Sequence, residues 1–378
     1  MYNGNRLKIG LFGANCSSGR YVTMVPERWS GSWDDNLLLA QMADDAGIDF
    51  LLPIGRWKGY GGQTDYQGAT YETLTWAAGL LASTKRITVF GTVHAPLFNP
   101  MIASKQMVTA DHIGHGRFGL NVVCGWNEGE FEMFGVDTGD HAGRYAQGQE
   151  WLDIVKRTWS ENDFDVAGTY FNLRGVREKP KPYDGSRPLI MNAGSSDDGR
   201  AFALRNCDAF FTSIRLASSE QAHLSETAQA VSDAKREAQS YGREIDVYTI
   251  GVIVCRATRA EAQDYYTYCM DTHADWDAVN NMLAMKGLLT RPPEELERLR
   301  RQRVNGAGGL PLIGSADDVA DGLRRVSEAG FRGIAVSFVN YAAELPYFRD
   351  EVLPRLERMG LREPAGSVAS TGGTTAFR

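Results

Sequence analysis

Eight short apolar runs punctuate the chain, and their spacing limits the fold more than any other feature. They are Lys8–Gly13, Phe50–Pro53, Ile87–Gly91, Phe118–Val123, Leu189–Asn192, Ala209–Thr212, Val247–Cys255 and Gly333–Phe338. Most are too short for a core helix, and they are apolar on both faces, as strands of a buried parallel sheet are. Between most of them lie amphipathic segments of helical period: Tyr71–Ser83, Met101–Ile113, Arg144–Trp159, Asp197–Arg205 and Ala316–Ala329. Eight such βα units in order predict an α/β fold, a parallel sheet closed into a (β/α)8 TIM barrel with insertions. An open, doubly wound sheet is the alternative, but it usually carries a glycine fingerprint after its first strand. Here the first strand runs into GANCSSGR, which has no GxGxxG pattern.

The length beyond a minimal barrel has definite places. Asp163–Leu173 reads as a small β-hairpin around Ala167–Gly168. Trp276–Leu310 is charged, helix-prone and broken by RPPEE and GAGG, so it reads as an excursion before the last strand. Residues 1–363 are expected to form one barrel domain, and the Gly-, Ser- and Thr-rich residues 364–378 a disordered tail.

Composition narrows the function classes. A hydrophobic fraction of 43% supports a sizeable core and argues against disorder. The net charge of −7 comes without a block of like charge, which predicts neither a nucleic-acid nor a membrane partner. No signal-peptide core and no apolar run of roughly 18 residues is present, so a cytoplasmic protein is expected. Cys16, Cys124, Cys207, Cys255 and Cys269 are odd in number and form no CxxC pair. That pattern predicts reduced thiols and no zinc cluster.

In a barrel of this kind chemistry sits where strands end. The second strand runs into LLPIGRWKGYGG, the third into FGTVHAPLF, the fourth into LNVVCGWNEGEFE and the fifth into LIMNAGSSDDG. Thr92 alone reads as a turn or cap residue, and His94 equally as a structural histidine or a general base. Asn121 is a primary amide inside an apolar run, so it fixes a loop or meets a ligand. Glu130 and Glu132, two residues apart, point in different directions and do not make a glycosidase-like pair. Trp126 reads as packing at the barrel mouth. Residues 193–199, AGSSDDG, place Ser195 and Ser196 before a helix, either as an N-cap or as an anion site.

Taken together, NVVCGWNEGEFEMFG, the DHIGHGRFG before it and the RYAQGQEWLDIVKRTW after it resemble the bacterial-luciferase-like flavin monooxygenases. The resemblance extends through DFDVAGTYFNL, KPKPYDGSRPLIMNAGSSDDGR and LIGSADDVADGLRRVSEAGF, nearly the whole chain except the tail. Within the family the pattern is most similar to the pyrimidine (uracil) monooxygenase group.

The resemblance implies reduced FMN (FMNH2) as cofactor, O2 as co-substrate and a small organic substrate. It implies flavin contacts at Gly55, Arg56, Asn121, Glu130, Arg144 and Tyr145, and a phosphate loop at Ser195 and Ser196. It implies an oxygen pocket of Leu52, Thr92, Asn121 and Trp126, with Thr92 and Asn121 as donors and His94 assisting by proton transfer. The expected chemistry is ring opening or C–heteroatom cleavage of a heterocycle or amide through a flavin N5-peroxide. His94 and Pro96 depart from the group's pattern, which expects small or hydroxyl residues there. The alternatives are a dimethyl-sulfone- or alkanesulfonate-type monooxygenase using a C4a-peroxide, or a deazaflavin-dependent dehydrogenase. No nicotinamide fingerprint occurs, so a separate NAD(P)H:flavin reductase is the expected transient partner, and a homodimer or homotetramer the expected assembly.

Overall fold

The computed structural model describes residues 1–213, 220–306 and 308–364. Its strands are β1 (Lys8–Phe12), β2 (Phe50–Leu52), β3 (Thr88–His94), β4 (Phe118–Val123), β5 (Phe164–Ala167) and β6 (Asn172–Val176). They continue with β7 (Leu189–Asn192), β8 (Ala209–Phe211), β9 (Asp246–Cys255), β10 (Leu310–Gly314) and β11 (Gly333–Ser337). Neighbours run β1–β2–β3–β4–β7–β8–β9–β11, and β11 returns to β1, all parallel. The barrel closes, and each of the eight predicted runs supplies one of its strands.

Side chains alternate along a strand, so every second residue faces inward. Phe50, Leu52, Phe90, Met191, Ala209, Phe211, Tyr248 and Ala335 form one buried cluster. A Cβ on Gly10 would fall 2.3 Å from the Phe50 ring, and one on Gly119 2.5 Å from the Phe90 ring. Glycine at these two positions is what lets both rings fill the interior. On β3 the same inward parity carries Phe90, then Thr92, then His94, so the polar residues stand above an aromatic floor. The opposite parity, including Leu51, Val89, Leu120 and Ile190, packs outward with helix residues such as Leu74, Met107 and Leu152.

The five predicted amphipathic segments are helices at Thr73–Ala82, Pro100–Ile113, His141–Ser160, Asp197–Asn206 and Ala316–Glu328. Further helices, among them Trp33–Asp45, Glu220–Ser240, Arg259–Thr267, Tyr341–Tyr347 and Leu353–Arg358, lie outside the predicted segments. The predicted hairpin is present as the antiparallel pair β5–β6. The excursion contains helices Trp276–Ala284 and Pro293–Val304 and then reaches β10, a ninth strand in the sheet. β9 pairs with β8 through residues 246–248 and with β10 through residues 251–255. The excursion therefore ends hydrogen-bonded to the barrel wall. Val279, Met282 and Leu283 from its first helix join Tyr21, Val25, Tyr66 and Val254 in a second apolar cluster.

The predicted tail beyond Pro364 lies outside the described residues. Among the described residues no helix is long and apolar enough to cross a membrane.

Candidate active site

Thr92 and Asn121 are register partners on the adjacent strands β3 and β4, and both are buried. Asn121 Nδ2 donates to Thr92 Oγ1 at 3.1 Å, and Thr92 Oγ1 donates onward to the Pro53 carbonyl at 2.7 Å. The Thr92 backbone is held as well: Thr73 Oγ1 donates to its carbonyl at 2.7 Å and accepts from its N–H at 3.1 Å. The one hydroxyl hydrogen of Thr92 is thus committed to Pro53. What the pair leaves open is Asn121 Oδ1, buried and without a partner. A buried unpaired acceptor costs about 1–3 kcal/mol, a cost that a ligand N–H or O–H removes. Leu52, 2% exposed, belongs to the apolar interior cluster.

Gly55 stands against His94 and Thr92: an added Cβ would lie 2.7 Å from His94 Cε1 and 2.9 Å from Thr92 Cγ2. His94 is buried, and burial pulls its pKa down to about 4; nearby Glu130 raises it less, and Arg56 lowers it further. At neutral pH the ring is uncharged, so its 4.0 Å approach to Glu130 Oε2 is not an ion pair. Glu130 is 1% exposed and fully engaged on its other oxygen. Its Oε1 accepts from Arg56 Nη1 at 3.0 Å and from the backbone N–H groups of Trp57 at 2.8 Å and Lys58 at 3.3 Å. Glu132 is exposed, as the divergence of residues two apart requires. Glu130 therefore shapes the loop that follows β2.

The rim of the mouth is aromatic and cationic. Arg56 donates to Tyr60 OH at 2.8 Å, and its guanidinium lies 4.8 Å from the Tyr60 ring and 5.5 Å from the Trp126 ring. Tyr60 stacks on Tyr66 at 5.8 Å. Trp126 is 48% exposed and also carries Lys286 Nζ 4.7 Å above its ring. It stands on the rim, against charges.

A second locus forms at the end of β7. Asn192 Nδ2 donates to the Val122 carbonyl at 2.6 Å, and Asn192 Oδ1 accepts from Gly194 N–H at 2.7 Å. Gly194 abuts the Gly199 backbone so closely that a Cβ would fall 2.5 Å away. Ser196 caps the helix Asp197–Asn206, accepting from Gly199 N–H at 3.1 Å, while Ser195 is exposed. Asp197 and Asp198 occupy the first turn of that helix. Tyr145 lies beside Ser196 and Gly199. Arg144 donates to the carbonyls of Thr138 and Gly139 and keeps a buried Nε without a partner.

Sequence reasoning thus found two groups that the fold brings together. Leu52, Gly55, Arg56, Thr92, His94, Asn121, Trp126 and Glu130 gather where β2, β3 and β4 end. Arg144, Tyr145, Ser195 and Ser196 gather beyond β7. It missed the Pro53 carbonyl, a backbone acceptor with no signature in a sequence. It also missed Arg20, Lys286 and Arg303, whose meeting depends on how the excursion folds back. Asn127 was missed too, a buried amide with neither Oδ1 nor Nδ2 partnered. Among the described residues no group of three His, Cys, Asp or Glu side chains is placed to hold a metal ion.

A closed parallel barrel with this site defines the class. The luciferase-like monooxygenase family matches residues 7–333, and the chain belongs to it as a flavin-dependent monooxygenase. Among curated relatives, pyrimidine monooxygenase RutA of Acinetobacter baylyi is 28% identical over 357 residues, 92% of this chain and 94% of the relative. The FMNH2-dependent dimethylsulfone monooxygenase of Pseudomonas putida is 27% identical over 361 residues, 93% of this chain and 96% of the relative. A solved structure of riboflavin lyase with modified FMN and riboflavin superposes with a TM-score of 0.83 at 23% identity. That superposition covers 95% of this chain and 93% of the lyase, and shows a shared fold.

The residues present fit a reduced flavin mononucleotide. Asn121 Oδ1 is a buried acceptor in need of a donor, and a reduced isoalloxazine carries N–H donors. The start of the helix after β7 offers backbone N–H groups to a phosphate.

Proposed function

We propose that this protein binds FMNH2 and, with O2, oxygenates a small organic substrate, opening a heterocycle or cleaving an amide or other C–heteroatom bond. The observation that carries this reading is the buried, unpartnered Oδ1 of Asn121, locked in place through Thr92 to Pro53. When bound, reduced FMN supplies the activation of O2 and the oxygen atom's delivery; the protein orients it and excludes water.

Asn121 receives an N–H of the cofactor, and Thr92 acts as the positioning residue that fixes the amide. Gly55 lets His94 and Thr92 pack against the backbone of the loop that would border the flavin. Leu52 supplies the apolar floor and Trp126 the wall at the rim. Glu130 holds the Gly55–Lys58 loop and, with it, Arg56. Neutral His94 accepts or donates a proton at the substrate. Arg144, Tyr145, Ser195 and Ser196 hold the phosphate end. Reduced flavin comes from a separate NAD(P)H:flavin reductase, and the chain works in the cytoplasm as a homodimer or homotetramer.

The similarity to the dimethylsulfone enzyme supports a second reading, oxygenation next to sulfur, with the same residues in the same roles.

The test is Thr92→Ala beside Thr92→Ser. Thr92→Ala is expected to keep FMNH2 affinity within about twofold and to lower product formed per flavin oxidised by about tenfold. Thr92→Ser restores the hydroxyl and the yield. Normal coupling in Thr92→Ala would remove Thr92 from the mechanism.

A further inference from the structure

The rim of the barrel holds more positive charge than its structural contacts use. Lys286 sits over the Trp126 ring, and Arg56 approaches the same ring. Arg303, on the helix Pro293–Val304, lies within electrostatic reach of Lys286, Tyr60 and Arg20. Arg20 rests 4.5 Å over Phe12, the last residue of β1, and donates to the Gly306 carbonyl. Arg20 is 8% exposed, and its Nε is buried without a partner, as is Arg56 Nε.

The acids nearby are already engaged. Glu130 is taken by Arg56 and two backbone N–H groups. Asp275 accepts from Thr64 N–H and Oγ1, each at 2.8 Å, and from Ala278 N–H at 3.1 Å. Elsewhere arginines pair with carboxylates, as Arg187 does with Asp208 and Arg256 with Glu344. At the rim Arg56 has Glu130, whereas among the described residues neither Lys286 nor Arg303 pairs with a carboxylate. Burial, then Arg303 and Arg56, lower the Lys286 pKa to about 8, and no carboxylate figures among the causes. Arg303 is lowered by burial and by Arg20, with Tyr60 alone opposing. In a chain whose net charge is −7, this is a local inversion of sign, and such a field draws anions.

We propose that Lys286, Arg303 and Arg56, backed by Arg20, form a subsite for an anionic group on the substrate, a carboxylate or a sulfonate. The inference rests on the oxygenation proposed above and names the charge of the molecule oxygenated. The anion binds at the rim through Lys286 and Arg303, and its uncharged part reaches down toward His94 and Asn121. A neutral pyrimidine ring leaves these cations unanswered.

The same chemistry could come from the phosphate of FMN, so the experiment separates the two sources. Benzoate and benzamide have nearly the same shape and differ in charge. Each is titrated calorimetrically into the full chain, with and without FMN, at low and high salt. Benzoate is expected to bind at least about tenfold more tightly than benzamide, with the advantage shrinking as salt rises. Lys286→Gln and Arg303→Gln each remove most of that advantage while benzamide and FMN affinities stay unchanged. Lys286→Arg and Arg303→Lys retain it, which separates charge from folding.

Equal binding of benzoate and benzamide overturns the proposal. So does a loss of FMN affinity in the two glutamine variants with riboflavin affinity intact, because the rim would then serve the cofactor's phosphate. Neither result touches the coupling measured with Thr92→Ala, so the two readings fail separately.

Discussion

Asn121 and Thr92 face each other across the β3–β4 ladder, and the 3.1 Å hydrogen bond between them runs from the amide nitrogen to the hydroxyl oxygen. Because Thr92 gives its hydrogen to Pro53, the bond has one direction: the amide N–H points to Thr92 and the amide oxygen points away. The strand pairing thereby sets which polar atom a bound molecule meets.

That arrangement costs stability in the empty protein. Asn121→Leu removes a buried acceptor that has no partner, so the FMN-free protein is expected to hold or gain up to about 1 kcal/mol. Affinity for FMNH2 falls at the same time. Thermal melting of the FMN-free variant, set against a flavin titration, checks both signs; a large loss of stability would assign Asn121 to the scaffold alone.

Gly55→Ala adds a carbon into contact with His94 and Thr92 at 2.7 and 2.9 Å. Both neighbours are buried ring or strand atoms with little room to yield, so a loss of about 1–3 kcal/mol is expected. Urea unfolding measures the loss, and product yield should drop with it.

Glu130→Ala leaves Arg56 without its carboxylate and strips the Trp57 and Lys58 N–H groups of their acceptor. Removing one member of so buried a pair typically costs about 3 kcal/mol or more. Glu130→Gln keeps one acceptor oxygen and should cost less. Equal melting temperatures for the two variants would show that the retained acceptor oxygen contributes nothing and that the lost charge carries the whole effect.

His94 gives a pH dependence with a definite sign. Its folded pKa of about 4 lies below the ordinary 6.5, because burial disfavours the charged ring more than Glu130 favours it. Between those values the unfolded chain binds the extra proton, so the contribution to stability is complete above pH 6.5 and is lost as pH falls toward 4. His94→Gln should flatten the stability profile across that window. The groups facing the ring are Glu130 and Arg56, so the comparison is cleanest with both left intact.

The barrel strands were legible because a parallel strand covered on both faces is apolar at nearly every position, and eight such runs leave few alternatives. Helix Glu220–Ser240 was not legible, since its buried apolar residues include only Val231 and two alanines, Ala234 and Ala238, among the described side chains, and alanines mark a helical face weakly. β10 was hidden for another reason. It begins LPL after a glycine-rich stretch, and Pro311 suits only the sheet edge that β10 occupies. In the site, Asn121 was visible as an amide among apolar neighbours. The meeting of Lys286 with Trp126 was not, because nothing local relates positions 160 residues apart along the chain.

The glycines at 10 and 119 admit the Phe50 and Phe90 rings, and those rings stopper the barrel below the polar residues. Both rings are fully buried, so a molecule that reaches Asn121 comes from the other side of them, where the loops after β2, β3 and β4 lie. Two phenyl rings thus give the site its direction of entry.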